Sequence, residues 1–333
     1  MTANLRLSLA CWDYDRTSAV QHGLIRPEGI DLVPLTLPVE ETFYRMLRFG
    51  EFDVAEMSLS SYVLSLFDDP PPFVALPVFP SRVFRHGSIY VRADGPVQAP
   101  EDLAGRTVGI PEYQMTAAVW IRGVLAEHHG VAADGVRYRT GGLHDAGRTE
   151  KLRLDLPERF DVTPIPPDRT LDDMLVRGEI DALYTARAPG SFQAGGPGAP
   201  VRRLFADPQA AEQDYFRATG IFPIMHTLVM RREVYERDRW IAVSLLKAFT
   251  QAKDLMYAQL REITALKISL PWVVNEAEAT VALMGEDFWP YGIEPNRPTL
   301  ETFVRYSHDQ GLAKRVLDVT DLFAPETTGE VLV

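Results

Sequence analysis

The chain has 333 residues, 46% of them hydrophobic, and its 34 Lys and Arg stand against 46 Asp and Glu. That length is ample for a sizeable core and favours two lobes over one. A net charge of −12 argues against a general nucleic-acid or anionic-membrane surface, so an anionic small molecule would need a local basic pocket.

The opening residues, Met1-Thr-Ala-Asn-Leu-Arg-Leu-Ser-Leu-Ala-Cys-Trp-Asp13, form a short apolar run without a basic leader, which is not a signal-peptide layout. No apolar stretch approaches the roughly 20 residues of a membrane span. The lone Cys11 excludes an internal disulfide and a cysteine-rich zinc site, and reads as a small apolar filler. A cytoplasmic protein is expected.

Leu5–Ala10 reads as the first strand, followed by a polar turn over 12–17 and a short helix from Ser18. Ile30–Leu35 is a second strand. Residues 40–49 are helical, with Phe43, Met46 and Leu47 on one face, and 52–57 form a third strand ending in Ser58-Leu-Ser-Ser61. After the Asp68-Asp-Pro-Pro-Pro72 break come an apolar run over 73–79, a turn over 80–86 and a strand over 88–91. Short strands alternating with helices indicate a parallel α/β sheet.

Thr107–Ile110 is a β-branched run ended by Pro111. Thr116 then caps a helix that carries Ala117, Trp120, Ile121, Val124 and Leu125 at helical spacing. The turn between them delivers Tyr113, Gln114 and the Thr116 hydroxyl to a helix N-terminus, where free N–H groups and the macrodipole favour an anion. An ordinary α/β connection has the same pattern. Residues 141–167 and 188–200 look like excursions, with Gly195-Gly-Pro-Gly198 a mobile surface loop. Past Thr219-Gly-Ile-Phe-Pro-Ile-Met-His226, a strand over 227–230 leads to a helix over 240–256 with Ile241, Leu245, Ala248 and Phe249 on one face. The remainder, with Trp272, Phe288-Trp-Pro-Tyr291 and Phe303, reads as a helical tail on the first lobe.

Met46-Leu-Arg-Phe-Gly-Glu-Phe-Asp-Val-Ala55 aligns with Met174-Leu-Val-Arg-Gly-Glu-Ile-Asp-Ala-Leu183 without a gap. Both read as a helix end, a glycine turn, an apolar residue, Asp and a buried strand. Such turns recur in any α/β sheet, but the preferred reading is two related lobes facing each other across a cleft lined by strand carboxyl ends. The expected division is 1–95 plus 220–333 for one lobe and 96–219 for the other.

Several segments resemble the 4,5-dihydroxyphthalate decarboxylases: Cys11-Trp-Asp-Tyr-Asp-Arg16, Glu41-Thr-Phe-Tyr-Arg-Met-Leu47, Phe52-Asp-Val-Ala-Glu-Met-Ser-Leu-Ser-Ser-Tyr62, Pro80-Ser-Arg-Val-Phe-Arg-His86, Gly109-Ile-Pro-Glu-Tyr-Gln-Met-Thr-Ala-Ala-Val-Trp-Ile-Arg122, Gly220-Ile-Phe-Pro-Ile-Met-His226 and Phe288-Trp-Pro-Tyr-Gly292. The resemblance implies a two-lobed, type 2 periplasmic-binding-protein-like architecture. It also implies loss of CO₂ from a dihydroxylated aromatic dicarboxylate to give 3,4-dihydroxybenzoate.

That chemistry needs a ring hydroxyl whose electrons push into the ring, an acid that protonates the carbon losing CO₂, and a desolvated pocket. The dianion also needs cationic or N–H partners. In the Ser81–His86 turn, Arg82 can clamp a carboxylate, beside Ser81, and His86 suits either the ring acid or the phenol base. His226, opening a crossover strand between lobes, is the second catalytic candidate. Arg187 is a clamp for the other carboxylate, and Ser58 and Ser60 can bind ring hydroxyls. Asp15 and Arg16 can position the substrate or neutralise each other. Trp12 and Tyr113 can sandwich the ring, with Gln114 and Thr116 at the helix start. Each of these residues also has an ordinary structural role available to it. His128 and His129 read as dipole partners at a helix end, and His144 as a loop residue. No His and carboxylate cluster has metal-ligand spacing, which favours a metal-free, cofactor-independent reaction, although distant residues could build a metal site. The runner-up is a non-catalytic cytoplasmic solute-binding or sensor protein for a small carboxylate, and a third possibility is another reaction on a related ring. Self-association into a homo-oligomer is left open.

Overall fold

The computed structural model describes residues 4–192 and 198–329, so Gly195, Gly196 and Pro197 of the expected loop lie outside the described residues. In chain order the elements are β1 (Leu5–Ala10), α1 (Asp15–Gln21), β2 (Ile30–Leu35), α2 (Val39–Phe49), β3 (Val54–Ser58), α3 (Leu59–Ser65), β4 (Phe73–Arg82), β5 (Ile89–Arg92), β6 (Thr107–Ile110), α4 (Thr116–His129), β7 (Arg137–Thr140), β8 (Val162–Pro164), α5 (Leu171–Val176), β9 (Ala182–Tyr184), β10 (Val201–Arg203), α6 (Pro208–Thr219), β11 (Ile224–Arg231), α7 (Arg232–Arg237), α8 (Trp240–Leu260), α9 (Val273–Met284) and α10 (Arg297–Asp309). Among the described residues no helix is long and apolar enough to cross a membrane.

The chain folds as two compact units. The first holds the described residues through Arg82, Ile224–Glu301 and those from Leu317 onward; the second holds Val83–Pro223 and Thr302–Val316. The expected division had placed 83–95, 220–223 and 302–316 with the first lobe. Two contacts explain the first and last of these. β5 pairs with β9 and β10, and the end of the expected helical tail packs on α4, where Trp120 meets Phe303 and Arg122 Nε donates to Gln310 Oε1.

The first unit's sheet has the order β2-β1-β3-β11-β4. β1 runs parallel to β2 and β3, whereas β11 is antiparallel to both β3 and β4. The second unit's sheet has the order β10-β5-β9-β6-β7-β8. There β6 is parallel to β7 and β9, β7 is parallel to β8, and β5 is antiparallel to β9 and β10. Each sheet is therefore mixed, where a purely parallel one was expected. Setting β8 aside, the two share one pattern: three parallel strands, then an antiparallel strand, then one restored to the first direction.

Both aligned stretches follow the same course. Gly50 (φ +55°) ends α2 and Gly178 (φ +72°) follows α5, each in the left-handed region that glycine adopts without a Cβ clash. The next strand then begins beside an aspartate. Asp53 Oδ2 accepts from Ser8 N and Ser8 Oγ, both at 2.8 Å, and Asp181 Oδ2 accepts from Thr107 N at 2.9 Å. Arg231 lies 2.8 Å from Asp53 and Arg106 lies 3.9 Å from Asp181. Each backbone N–H bond to these carboxylates contributes about 1.5–3 kcal/mol, and the partly exposed arginine pairs contribute less.

The cores follow from composition. β3 and β4 are buried along their whole lengths, and α4 is buried on all sides from Thr116 to Leu125, with the guanidinium of buried Arg122 donating to Gln310 Oε1 and Tyr113 O. Gly109 leaves room for the side chains packed over β6, because a Cβ there would stand 2.6 Å from Ile180, 2.7 Å from Leu183 and 3.0 Å from Leu171 of α5.

Several boundaries differ from expectation. α1 starts at Asp15 rather than Ser18, and α3 follows β3 directly where a polar strand end was expected. β4 continues through Pro80 to Arg82 because β11 pairs with it as far as Ile224 opposite Arg82. α4 begins at Thr116 with Met115 at the N-cap, so Thr116 is not the cap. The 141–167 excursion contains β8.

Candidate active site

In the first unit β1 ends at Cys11-Trp-Asp-Tyr14, and β3 brings Glu56 and Ser58 to the same end of the sheet. β11 enters between β3 and β4 so that His226 stands opposite Ser58 on one side and Ser81 on the other. The β4 register shifts on either side of His226, an irregularity of the kind that re-aims a side chain.

His226 Nδ1 lies 2.6 Å from Glu56 Oε1, and the Tyr14 hydroxyl donates to that same oxygen at 2.6 Å. The other oxygen, Oε2, accepts from Trp12 N at 3.1 Å, with the Cys11 Sγ at 3.7 Å. Glu56 has no solvent exposure and the His226 side chain retains 15%. Burial alone would raise the Glu56 pKa, but the bond and charge of His226, with the Tyr14 and Trp12 donors, hold it below the ordinary carboxylate range. Burial, and then the Glu56 charge, push the Tyr14 hydroxyl and the Cys11 thiol upward, so both keep their protons. Phe43 meets the His226 ring edge-on at 4.8 Å.

Arg16 projects from α1 beside this group. Its Nε donates to Pro80 O at 2.6 Å and its Nη1 to Asp15 Oδ1 at 2.9 Å, while its guanidinium lies 4.2 Å from the Tyr14 ring centroid and 4.0 Å from that of Trp289. Among the described residues Nη2 has no hydrogen-bond partner. Trp12 is 43% exposed; Ser60, in α3, is buried. Arg82 closes β4 and donates to Pro290 O at 3.0 Å and to Asn296 Oδ1, fastening the 290–296 turn; burial lowers its pKa to about 9.

The second unit offers a parallel turn between β6 and α4, filled by its own side chains. Glu112 is buried and meets Arg148 at 2.6 Å and Lys151 at 2.7 Å, while Gln114 Nε2 donates to it at 3.0 Å. The Tyr113 N–H donates to Glu150 Oε1, so the anion position expected at this helix start is held by the chain's own carboxyl. The Tyr113 ring is buried against Tyr138 and under Arg122, 3.9 Å away, and Thr116 is buried in the first turn. Arg187 is exposed, with its N–H donating to Thr185 Oγ1 at 3.3 Å. His86 is buried among Phe205, Tyr215, Ile89 and Trp120. Burial, then His129 and His128, lower its pKa to about 4. His129 lies 3.4 Å from Glu101, and His144 lies 3.8 Å from Asp172.

The structure thus brings His226, Ser58 and Ser81 together, with Trp12 joined through Glu56 and Arg16 through Tyr14. Arg82 and His86, expected in one turn, belong to different units. Glu56, Tyr14, Glu112 and Glu150 were not among the expected site residues. Glu56 carried a readable signal: a carboxylate inside the apolar run Val54-Ala-Glu-Met57 must be paired if that strand is buried. Among the described residues no group of three or more His, Cys, Asp or Glu could hold a metal ion.

No protein-family model matches the chain. It is 40% identical over 323 residues to 4,5-dihydroxyphthalate decarboxylase of Comamonas testosteroni, covering 97% of each protein. It is 42% identical over 214 residues to a protein of the same name from Pseudomonas putida, covering 64% of this chain and 82% of that one. Among solved structures, the periplasmic aliphatic sulphonate binding protein SsuA from Escherichia coli matches with a TM-score of 0.55 at 14% identity, over 98% of this chain and 99% of that chain. That likeness is one of fold, and it is the periplasmic-binding-protein-like fold implied by the sequence resemblance.

Proposed function

The chain belongs to the 4,5-dihydroxyphthalate decarboxylase family, and from that premise we propose that it releases one carboxylate of 4,5-dihydroxyphthalate as CO₂, with His226 supplying the proton that replaces it. The product is 3,4-dihydroxybenzoate, and the protein is a carboxy-lyase acting on a small aromatic molecule. Full-length identity of 40% to a decarboxylase of that name supports the reaction. The chemical role rests on one observation: His226 is partly exposed on one side and held by a buried carboxylate on the other.

The step balances with the residues of the first unit. In the substrate each carboxylate has a hydroxyl para to it. Donation from that oxygen raises electron density at the carbon bearing the carboxylate, and His226 protonates that carbon. The C–C electron pair then returns to the ring as CO₂ leaves, restoring aromaticity. The imidazole regains its proton from water, so a dianion and one proton become a monoanion and CO₂. Arg16, with Nη2 unengaged, holds the retained carboxylate, and Trp12 packs against the ring. Ser58 and Ser81, flanking His226, bind ring hydroxyls. His86 is not the ring acid in this proposal, because burial, then His129 and His128, lower its pKa to about 4 and leave the imidazole neutral at neutral pH. The reaction as proposed uses no cofactor. Action in the cytoplasm is part of the proposal and is in keeping with a buried free thiol at Cys11.

Purified protein given 4,5-dihydroxyphthalate should release one CO₂ for each 3,4-dihydroxybenzoate formed. His226→Ala should lower kcat by about 10²- to 10⁴-fold, the range for a general acid, while ligand still raises the melting temperature. Unchanged turnover in that variant would remove His226 from the reaction. Ligand binding without any CO₂ from the wild-type chain would instead make the protein a carboxylate receptor.

A further inference from the structure

We propose that Glu56 is the positioning residue of this reaction: by accepting the His226 Nδ1–H it fixes the ring and leaves Nε2 as the nitrogen that trades protons with the substrate. The inference rests on the reading of His226 as proton donor.

Glu56 sits on a strand buried along its whole length, where a bare carboxylate would cost several kcal/mol. Instead both oxygens are occupied. Oε1 accepts two donors at 2.6 Å each, from His226 Nδ1 and the Tyr14 hydroxyl, and Oε2 accepts the Trp12 N–H at 3.1 Å. An ionised carboxylate only accepts, so Nδ1 must carry the hydrogen. A neutral imidazole has one N–H, so Nε2 is then its acceptor end and gains the second proton only when the ring charges. Burial works against the carboxylate charge and the surrounding donors outweigh it, so the acceptor state persists at neutral pH. The Phe43 ring against the imidazole, 4.8 Å between centroids, restricts the remaining freedom of the ring. Tyr14 ties the same oxygen to the start of α1, so the turn that presents Arg16 and the strand that presents His226 are referenced to one atom. This is the division of labour of a catalytic triad's third member, which orients the base and sets its tautomer.

Two measurements test it. In the wild-type protein, ¹⁵N ring shifts of neutral His226 should show Nδ1 protonated and Nε2 bare; the opposite tautomer overturns the proposal without needing any variant. Glu56→Gln keeps the side-chain shape but can offer an N–H to Nδ1, which favours the wrong tautomer. That variant should lose about 10²- to 10⁴-fold in kcat with KM within about threefold. Its His226 ring signals should move toward Nε2–H. Tyr14→Phe leaves the dyad intact and should lose less than about tenfold. If Glu56→Gln keeps kcat within about threefold while His226→Ala is inactive, Glu56 is structural and only this inference falls. If His226→Ala is active as well, the reading of His226 falls first.

Discussion

Replacing Glu150 by glutamine should make the stability of the second unit less sensitive to pH, and the size of the effect follows from the site. One Glu150 oxygen accepts the Tyr113 N–H, and Oε2 is buried with no partner among the described residues. Burial, then the neighbouring Glu112, raise the carboxyl from its ordinary 4.5 to about 7, against the pull of the Tyr113 N–H, Arg122 and Lys151. The folded chain therefore keeps a proton that the unfolded chain releases between pH 4.5 and 7. The stability contributed by that proton is complete below 4.5 and is lost as pH rises through 7. At about 1.4 kcal/mol per pH unit the full swing is about 3 kcal/mol. Glu150→Gln keeps an acceptor for the N–H and cannot ionise. Wild type and variant should melt together near pH 4.5, and by about pH 8 the variant should lead by about 6–12 °C. Calorimetry at four pH values between these limits reads the difference directly, and other titrating groups cancel because both proteins share them. A difference that does not change with pH would mean that Glu150 titrates as an ordinary surface carboxyl, and the burial argument would fail.

Two further outcomes follow from packing. Gly123→Ala adds a methyl where an ideal Cβ stands 2.0 Å from the Tyr306 ring, so the usual gain of about 1 kcal/mol for Gly→Ala in a helix should reverse into a net loss of about 1–3 kcal/mol in denaturant unfolding. A gain would show that Tyr306 yields without cost. Ile263, Leu270 and Trp272 are 70%, 59% and 70% exposed within ten residues, a density that fits self-association. Light scattering should find an oligomer that the Leu270→Ser, Trp272→Ser double variant dissociates. A monomeric wild type would dismiss that use of the surface.

The residues show why some of this was legible in sequence and some was not. β1, β2 and β6 match their expected limits because an apolar or β-branched run ends at a polar turn or proline. β4 does not, since Pro80 looks like a stop and is carried into the sheet only by pairing with β11, a strand some 140 residues later. α3 is hidden because seven residues are too few for a helical period to show, and its N-cap Ser58 makes no side-chain cap hydrogen bond. Ser58, Ser81 and His226 were each legible as candidates, but their alignment across three strands is a fact of register. Arg82 and His86 looked like one basic cluster because they are four residues apart. The structure buries each in a different unit, where desolvation governs both. Glu150 was invisible because nothing local marks a loop glutamate that folds back onto a helix start 37 residues earlier.

The paired aspartates act on misfolding as well as on stability. Asp53 and Asp181 each reach the backbone of a strand far behind them, across 45 and 74 residues. Phe52 and Ile180, immediately before them, are core residues. A slip of one residue at either strand would set an apolar side chain against the waiting N–H and drive a carboxylate into the core, an error of several kcal/mol. Each carboxylate therefore penalises the wrong register of its own sheet, and losing either is expected to show first as aggregation on refolding rather than as altered chemistry.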